Sequence, residues 1–579
     1  MSTDSEASSS IKVPSPRYHA LDALRAYAMF LGVILHASMA YIPNVPWGSH
    51  DPAAADWVGL ILLGIHGFRM QLFFVISGFF TLMLLQRRGV QNIIKHRFLR
   101  ILVPCLIGVI TVLPAQHAVE AWATRSESKA VVRTSKAVVR TSKEENATAF
   151  VNALKAGQRE KAGQLLGAGL DPNAQDPMYG LTMLAWAALV DDGPVAGELI
   201  KRGADVNGRS RNQSTALNAA AFRGSEMVAQ LLLEQNADAT LKSADGDTPL
   251  RSAFAPADAT AGIAMLLGIT LPDDAKLTDG RKNVVRLLPG GEEALAASPD
   301  LGYVKSKQTG LPALRAAYTQ WLVSGMVLGS GPAAFNFLMT NVVDHLWFLW
   351  ILWWMVLILA ALAGVFNRIP AGAIAWLGKP WRIAILVIPT AILQSFQGLF
   401  APGIGPDTSI GLLPMPHVFI YYLFFFCTGA LIYKAGTMDA APTKSWIAEL
   451  IIANAVCIPL ALVLLSGRDT GGLLIGGIVQ GFYAWLSIFG LIGFFRATLG
   501  GESKVLRYLS DASYFVYIFH IIIVLILQHI LVTMGIPVGL KLLIVALGAT
   551  GILIGVYQVA VRYTFIGTLL NGKKVRNAV

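Results

Sequence analysis

The stretch LDALRAYAMFLGVILHAS, residues 21–38, is a long apolar run that carries ionisable side chains. Counted from Ala20 it is about twenty residues long, which is the length that a helix needs to cross the hydrocarbon core of a bilayer. It is too long for the core of a signal peptide and no cleavage site of small residues follows it, so it predicts a permanent membrane helix. Arg25 and His36 lie eleven positions apart. That spacing is three helical turns plus about 20°, so both side chains project from one face with a rise of roughly 16 Å.

A second run, GIHGFRMQLFFVISGFF at residues 64–80, repeats this combination. His66 and Arg69 are three positions apart and share a helix face, while Arg69 and Gln71 fall near the middle of the predicted span. Ionisable groups are costly inside a bilayer and usually face a cavity or a partner. A blander interpretation stays open for both runs. The first pair could be a snorkelling arginine and a hydrogen-bonded core histidine, and the second set a structural network that joins helices.

The chain as a whole shows the same bias, because 54% of its 579 residues are hydrophobic and only 14% are charged. Soluble domains usually carry about 25% charged residues. Only the region 116–317 has the composition of a soluble domain. The sequence therefore predicts an all-α protein, a polytopic membrane bundle of about ten transmembrane helices with one inserted domain. The predicted spans are 20–41, 58–86, 99–115, 345–366, 383–400, 417–433, 446–465, 472–495, 512–534 and 541–561.

Lysine and arginine residues concentrate in alternate loops, and the positive-inside rule places those loops in the cytoplasm. Both termini are then cytoplasmic, and the insert is extracytoplasmic. The apolar segment 318–340 is interrupted by Gly and Pro, so we predict that it is interfacial or re-entrant. The predicted divisions are an N-terminal tail (1–19), spans one to three (20–115), the insert (116–317), the remaining spans (318–562) and a C-terminal tail (563–579).

Within the insert the sequence repeats at a period of 33 residues. Thr182, Thr215 and Thr248 each open a T-x-L motif, and GLDPN at 169–173 recurs as GADVN at 203–207. This period and these motifs resemble ankyrin repeats. We therefore predict an α-helical ankyrin solenoid over about 146–270, which could recruit a protein partner. The tandem KAVVRTS at 129–142 is interpreted as a flexible basic linker.

Taken in order, the membrane motifs resemble the acyltransferase-3 family. Arg25 and His36 in the first helix and FRMQLFFVISGFF in the second are similar to its signature, particularly in the branch that includes the glucan succinyltransferases. That branch commonly has a proline where this chain has Gln71. The resemblance covers about 1–115 and 341–562. Further similar segments are RFLRILVP (97–104), HLWFLWIL (345–352), FFFCTGALIYK (424–434) and SYFVYIFH (513–520).

The resemblance implies an enzyme of the bacterial cytoplasmic (inner) membrane that works between two substrates and among membrane lipid. It would take an acyl group, acetyl or succinyl, from cytoplasmic acyl-coenzyme A (acyl-CoA), and it would pass that group to a hydroxyl of an extracytoplasmic glycan. Acyl-CoA is a donor substrate in this scheme, and we expect no tightly bound cofactor.

The same resemblance, joined to the chemistry of the side chains, implies a role for each polar residue. Arg25, Arg97 and Arg100 would bind the donor, since arginine makes bidentate contacts with phosphate. His36 would act as the general base on the acceptor hydroxyl, and Arg69 or Tyr517 would stabilise the oxyanion. The supporting polar network would comprise Asp22, His66, Gln71, His345 and His520.

Other classes of function are less well supported by the residues. The net charge of +11 arises from topology signals in loops, so we expect no nucleic acid partner. Three cysteines in apolar runs do not form a disulfide framework, and His117, His345 and His417 are not expected to bind a metal. Two alternatives remain: a transporter, because polar residues in spans also mark substrate pathways, and a membrane scaffold that presents the ankyrin stack.

Overall fold

The computed structural model describes residues 18–43, 45, 47, 49, 51–131, 146–256, 259–260, 263–264, 267–299, 301, 310–329, 334–399, 403–437, 445–464, 470–532 and 534–572, with the side chains of 124–131 left aside. Most described residues are helical, and the strands among them form one short hairpin. The all-α prediction is therefore confirmed. The tail 1–17 and most of the tandem linker lie outside the described residues.

The first helices bring the chain across the bundle three times. Helix α1 (His19–Ser38) is followed by α2 (Asp56–His66) and α3 (Arg69–Arg97), which meet at Gly67 and Phe68. A turn of π-helix at Phe98–Leu102 then leads into α4 (Val103–Val131).

Helix α4 continues well beyond residue 115, where we placed the end of the third span. The Trp122 ring lies 5.0 Å from the His529 ring, and Gln116 donates a 3.0 Å hydrogen bond to Asp344. Residues 116–123 therefore pack with the membrane bundle and not with the insert. Their soluble-like composition belongs to the end of a long helix.

The insert forms its own hydrophobic core, centred on Trp186, Leu217 and Leu232. The repeated threonines explain its period, because Thr182, Thr215 and Thr248 each accept a hydrogen bond from the backbone three residues later and so cap a helix. The ankyrin prediction is confirmed. The helices are α5 (146–155), α6 (Arg159–Gly167), α7 (Met183–Leu189), α8 (Gly193–Lys201), α9 (Ala216–Arg223), α10 (Glu226–Glu234), α11 (Pro249–Ala253), α12 (Asp274–Leu287) and α13 (Gly291–Ala297).

The chain returns to the bundle through α14 (Leu311–Ser324) and a hairpin of β1 (Val327–Leu328) and β2 (Phe335–Asn336). A helix of 14 residues is about 21 Å long, which is shorter than the hydrocarbon core of a bilayer. Among the described residues this segment is not one of the candidate spans.

The remaining helices complete the bundle. A bend of 97° separates the 3₁₀ segment Ala371–Gly378 from the helix that follows it. The helices are α15 (Trp347–Ala361), α16 (Ala363–Arg368), α17 (Arg382–Gln394), α18 (Pro416–Lys434), α19 (Trp446–Ile452), α20 (Ile458–Leu464), α21 (Thr470–Leu499), α22 (Lys504–Val532), α23 (Val538–Val556) and α24 (Phe565–Asn571).

Among the described residues, eight helical segments are long and apolar enough to cross a membrane, or nine with the bent pair at 371–394. One of them, Asp56–Ala123, has 68 residues and would be about 100 Å long if straight. Gly89 breaks it with a φ of 73°. With eight or nine such segments among the described residues, the chain is a multi-pass membrane protein.

Two glycines allow α3 and α18 to cross at close range. A methyl group on Gly78 would overlap the carbonyl oxygen of Phe426, and one on Gly429 would overlap that of Val75. Small residues at a crossing let the backbones of membrane helices approach each other. Gly78 therefore has a packing role at this crossing.

We expect Gly78→Ala to destabilise the bundle by about 1–3 kcal/mol, because the added methyl group must separate two packed backbones. Thermal unfolding of the purified protein in detergent would measure the loss. Gly551→Ala is the matched control, since it is also a helical glycine but has no atom within 4 Å of its added methyl group. An equal change in both variants would contradict the close crossing.

Candidate active site

A cavity of about 280 Å³ opens at one end of the bundle, among the start of α1, the end of α3 and the start of α22. Arg25, Arg97 and Arg100 all line it. The π-helical turn between α3 and α4 carries Arg100 into the wall, and such turns are frequent at functional sites. The structure thus brings together the three arginines that the sequence indicated as donor ligands.

Two of these arginines donate to neutral hydroxyl groups, and one of the two also lies near a carboxylate. Arg25 donates to the Ser510 hydroxyl at 3.1 Å and lies 3.5 Å from the Asp22 carboxylate. Arg97 donates to the Thr81 hydroxyl at 3.1 Å. Each guanidinium has five N–H donors, so these contacts orient the groups and leave donors for an anionic ligand.

One face of α1 leads inward from this cavity. Met29 lies one turn beyond Arg25 and lines the inner wall together with Phe73 and Phe348. The Phe348 ring lies 4.4 Å from the Phe73 ring and 6.0 Å from the Tyr517 ring. The apolar end of the cavity therefore lies beside a second group of polar residues, to which Tyr517 belongs.

Arg69 lies in that second group, against α1. A methyl group on Gly32 would overlap its guanidinium, and only 8% of the residue is exposed. In the described part of the chain, Arg69 Nε has no hydrogen-bond partner, and no carboxylate acts on the Arg69 charge. A buried cation without a counter-ion favours a ligand that brings negative charge.

His36 comes next on the same face, and its ring faces that of His520. His36 Nδ1 lies 2.6 Å from His520 Nε2, and His520 Nδ1 lies 2.8 Å from the Tyr517 carbonyl oxygen. Because a carbonyl oxygen only accepts, His520 carries its proton on Nδ1 and its Nε2 accepts from His36. His36 Nε2 is then left with a lone pair, as a general base requires.

Two residues that the sequence did not indicate hold His36 from the other side. The Trp47 ring stacks on the His36 ring at 5.9 Å and donates a 2.9 Å hydrogen bond to Gln528. Gln528, which is fully buried, donates to the His36 and Ala37 carbonyl oxygens. Neither residue belongs to a motif. However, Gln528 is a polar residue in a predicted membrane span, eight positions after His520, and this could have marked it as a candidate.

The supporting residues divide into two groups. The His345 ring lies 5.8 Å from the His520 ring, so it belongs to the site. His66 Nε2 instead bonds the Pro406 carbonyl oxygen at 2.9 Å, and Gln71 donates to Gly67 at 2.8 Å. These two side chains hold a loop and a helix turn, as the structural interpretation of that set proposed.

A hydrogen bond of Tyr517 bears on the oxyanion role that the resemblance implied for it. Its hydroxyl donates to the His345 carbonyl oxygen at 2.8 Å. A tyrosine has a single O–H donor, so this proton is already committed. The geometry favours Arg69 over Tyr517 as the group that meets a developing oxyanion.

The three histidines considered as metal ligands have separate partners. His117 lies 3.3 Å from Glu120, His417 lies 3.2 Å from Asp407, and His345 bonds the Ile518 carbonyl. Across the described ranges, no group of three or more His, Cys, Asp or Glu residues converges on a point that could hold a metal.

Comparison with known proteins gives two family matches. Residues 18–133 and 307–560 match the family described as acyltransferase domain, and residues 150–243 match three copies of the ankyrin repeat. Similar curated proteins include glucans biosynthesis protein C of Salmonella typhi and of Salmonella typhimurium, each 37% identical over 122 residues. The aligned part is 20% of this chain, and it spans about a third (32%) of the length of these relatives.

Proposed function

This chain belongs to the acyltransferase-3 family, and on that premise we propose that it moves an acyl group from cytoplasmic acyl-CoA to a hydroxyl group of an extracytoplasmic glycan. The observation that carries the proposal is the continuous face of α1. Arg25 and Met29 line the cavity, Gly32 touches Arg69, and His36 follows. The four positions rise by roughly 16 Å, which is close to the reach of a pantetheine arm.

The two ends of this path suit different substrates. The diphosphate of a coenzyme is anionic and is complementary to Arg25, Arg97 and Arg100. The inner wall, with Phe73 and Phe348, suits the uncharged arm. His36 lies at the other end of α1, where Trp47 and Gln528 surround it, and there a carbohydrate hydroxyl can approach from outside.

The chemistry balances with residues of this chain alone. His36 Nε2 takes the proton of the acceptor hydroxyl, and the hydroxyl oxygen attacks the thioester carbonyl carbon. Arg69 stabilises the oxyanion that forms. The carbon–sulfur bond then breaks, and the leaving coenzyme thiolate takes the proton from His36. The scheme requires no resident cofactor.

The sidedness and the acceptor also belong to this proposal. Positively charged loops lie at the cavity end, so that end faces the cytoplasm together with both termini. The ankyrin insert leaves from the opposite end, beyond Trp122, and is extracytoplasmic. The name of the relatives, glucans biosynthesis protein C, supports a glucan or a related glycan as the acceptor. Acetyl and succinyl both remain candidates for the acyl group.

We expect Arg25→Ala and Arg97→Ala to raise the KM for acyl-CoA about tenfold to a hundredfold, because each removes a charge-assisted contact worth about 1.5–3 kcal/mol. A change in KM with little change in kcat is the mark of a lost ground-state contact. Labelled acyl-CoA supplied to the cytoplasmic face of vesicles, with a glucan on the other face, would measure both constants.

Arg87→Ala is the matched control, since Arg87 is exposed at the same end of α3 but outside the cavity. The KM of this variant should stay near that of the unmodified protein. If wild-type vesicles transfer no acyl group from any acyl-CoA, the proposed donor is wrong. If all three variants behave alike, the cavity is not its site.

A further inference from the structure

The segment that links the insert back to the bundle has an unusual charge distribution. Between residues 310 and 343 the only charged residue is Arg315. Its guanidinium is turned inward, where it donates to the carbonyl oxygens of Ser395, Gln397 and Gly398 just after α17. The outward face of this segment therefore carries no charge.

That outward face is strongly apolar. Leu314 is 56% exposed, Trp321 is 42% exposed and Leu328 is 65% exposed. The opposite face is buried, with Leu322 fully covered in the core of the bundle. A segment of this kind in water would expose a contiguous apolar patch, which soluble surfaces rarely tolerate.

The polar contacts of α14 fix its depth relative to the spans. Arg315 binds the carbonyl end of α17, and the Tyr318 hydroxyl lies 3.0 Å from His417 Nδ1 and 3.1 Å from the His417 backbone nitrogen, one residue inside α18. Helix α18 is long and apolar enough to span a membrane, so its first residues lie at the membrane–water interface. Outward side chains on those two helices are apolar as well, since Ile392 and Ile420 are 53% and 51% exposed.

We propose that α14 and β1 lie in the interface of the extracytoplasmic leaflet, with Leu314, Trp321 and Leu328 inserted among lipid chains. The partner of this surface is the lipid bilayer itself. Amphipathic helices with Trp and Leu on one face bind membranes in this way, and Trp favours the level of the head groups. The C-terminal end of the ankyrin insert is then anchored at the membrane surface by lipid as well as by α17 and α18.

Site-directed quenching tests this placement in the full-length protein. Cys105, Cys427 and Cys457 are first replaced by alanine, and a fluorophore is attached to Leu328→Cys or, separately, to Leu314→Cys. Met227→Cys is the matched control, because Met227 and Leu328 are equally exposed at 65% but Met227 lies on the ankyrin surface. Each protein is reconstituted in liposomes that contain lipids with a nitroxide near the head group, or is treated with aqueous iodide.

We expect nitroxide lipids to quench the labels at 328 and 314 severalfold more than the label at 227, and iodide to show the reverse order. Equal quenching of 328 and 227 by iodide would overturn the proposal, because the face would then be in water. Protection of 328 from both quenchers would also overturn it, because protein and not lipid would cover the face. Activity does not enter the readout, so the result is independent of the proposed acyl transfer.

Discussion

Replacing His36 with alanine is expected to lower kcat by about a hundredfold to ten-thousandfold, the usual contribution of a positioned general base. The hydrogen bonds with His520 and the Tyr517 carbonyl leave the lone pair of His36 on Nε2. Alanine removes that nitrogen but keeps the helix. The loss should appear in vesicle transfer assays as a fall in kcat at saturating acyl-CoA.

His529→Ala is the control for this variant. His529 is also a histidine beside a tryptophan, with the two rings 5.0 Å apart, but this tryptophan is Trp122 of α4. We expect the control to retain most of its activity, apart from a loss that matches any fall in folded protein. Wild-type turnover by a folded His36→Ala protein would exclude the general-base role and would return His36 to the status of a core histidine.

The polar residues that lie on one helix could be grouped from spacing alone. Eleven positions on one helix put Arg25 and His36 on the same face whatever the rest of the chain does. The cost of charge in a bilayer likewise made Arg69 a candidate before its surroundings were known. The period of 33 residues was equally informative, because each repeated threonine accepts the same local hydrogen bond and so caps the start of a helix.

Contacts between helices could not be read in this way. His36 and His520 are 484 positions apart, and their pairing depends on how α1 packs on α22. Trp47 reaches the site from a loop, where no periodicity places it. The sequence also could not show that the Tyr517 hydroxyl proton is already in use. That follows only from the hydrogen bond that this hydroxyl donates to the His345 carbonyl oxygen.

The boundary of the insert was obscured for a related reason. The end of α4 carries Gln116, His117 and Glu120, which make it resemble a soluble segment. Hydropathy averages over a whole helix and does not register that one face still packs on α22. The contact between Trp122 and His529 is therefore a better guide to this boundary than composition is.

Arg69 and Arg382 allow the catalytic proposal to be separated from simple structural support. Both are buried arginines within the bundle, 8% and 2% exposed. Arg382 has a counter-ion, Glu449 at 3.8 Å, and lies 4.0 Å from the centre of the Phe489 ring. Among the described residues Arg69 has no such carboxylate. Replacing each side chain with methionine should therefore have opposite effects: one variant should lose turnover and the other should lose stability.

Arg69→Met is expected to lower kcat by about a hundredfold to a thousandfold, as the loss of an oxyanion donor does. It should leave thermal stability unchanged or raised, because an unpaired buried cation is removed. Arg382→Met should do the reverse, since it leaves Glu449 without its partner but touches no part of the path along α1. Turnover per folded molecule and unfolding temperature, measured on the same preparations, would reveal this crossed pattern. If Arg69→Met instead unfolds the bundle while its folded fraction keeps full turnover, Arg69 is a structural residue, and the oxyanion must be stabilised by another group.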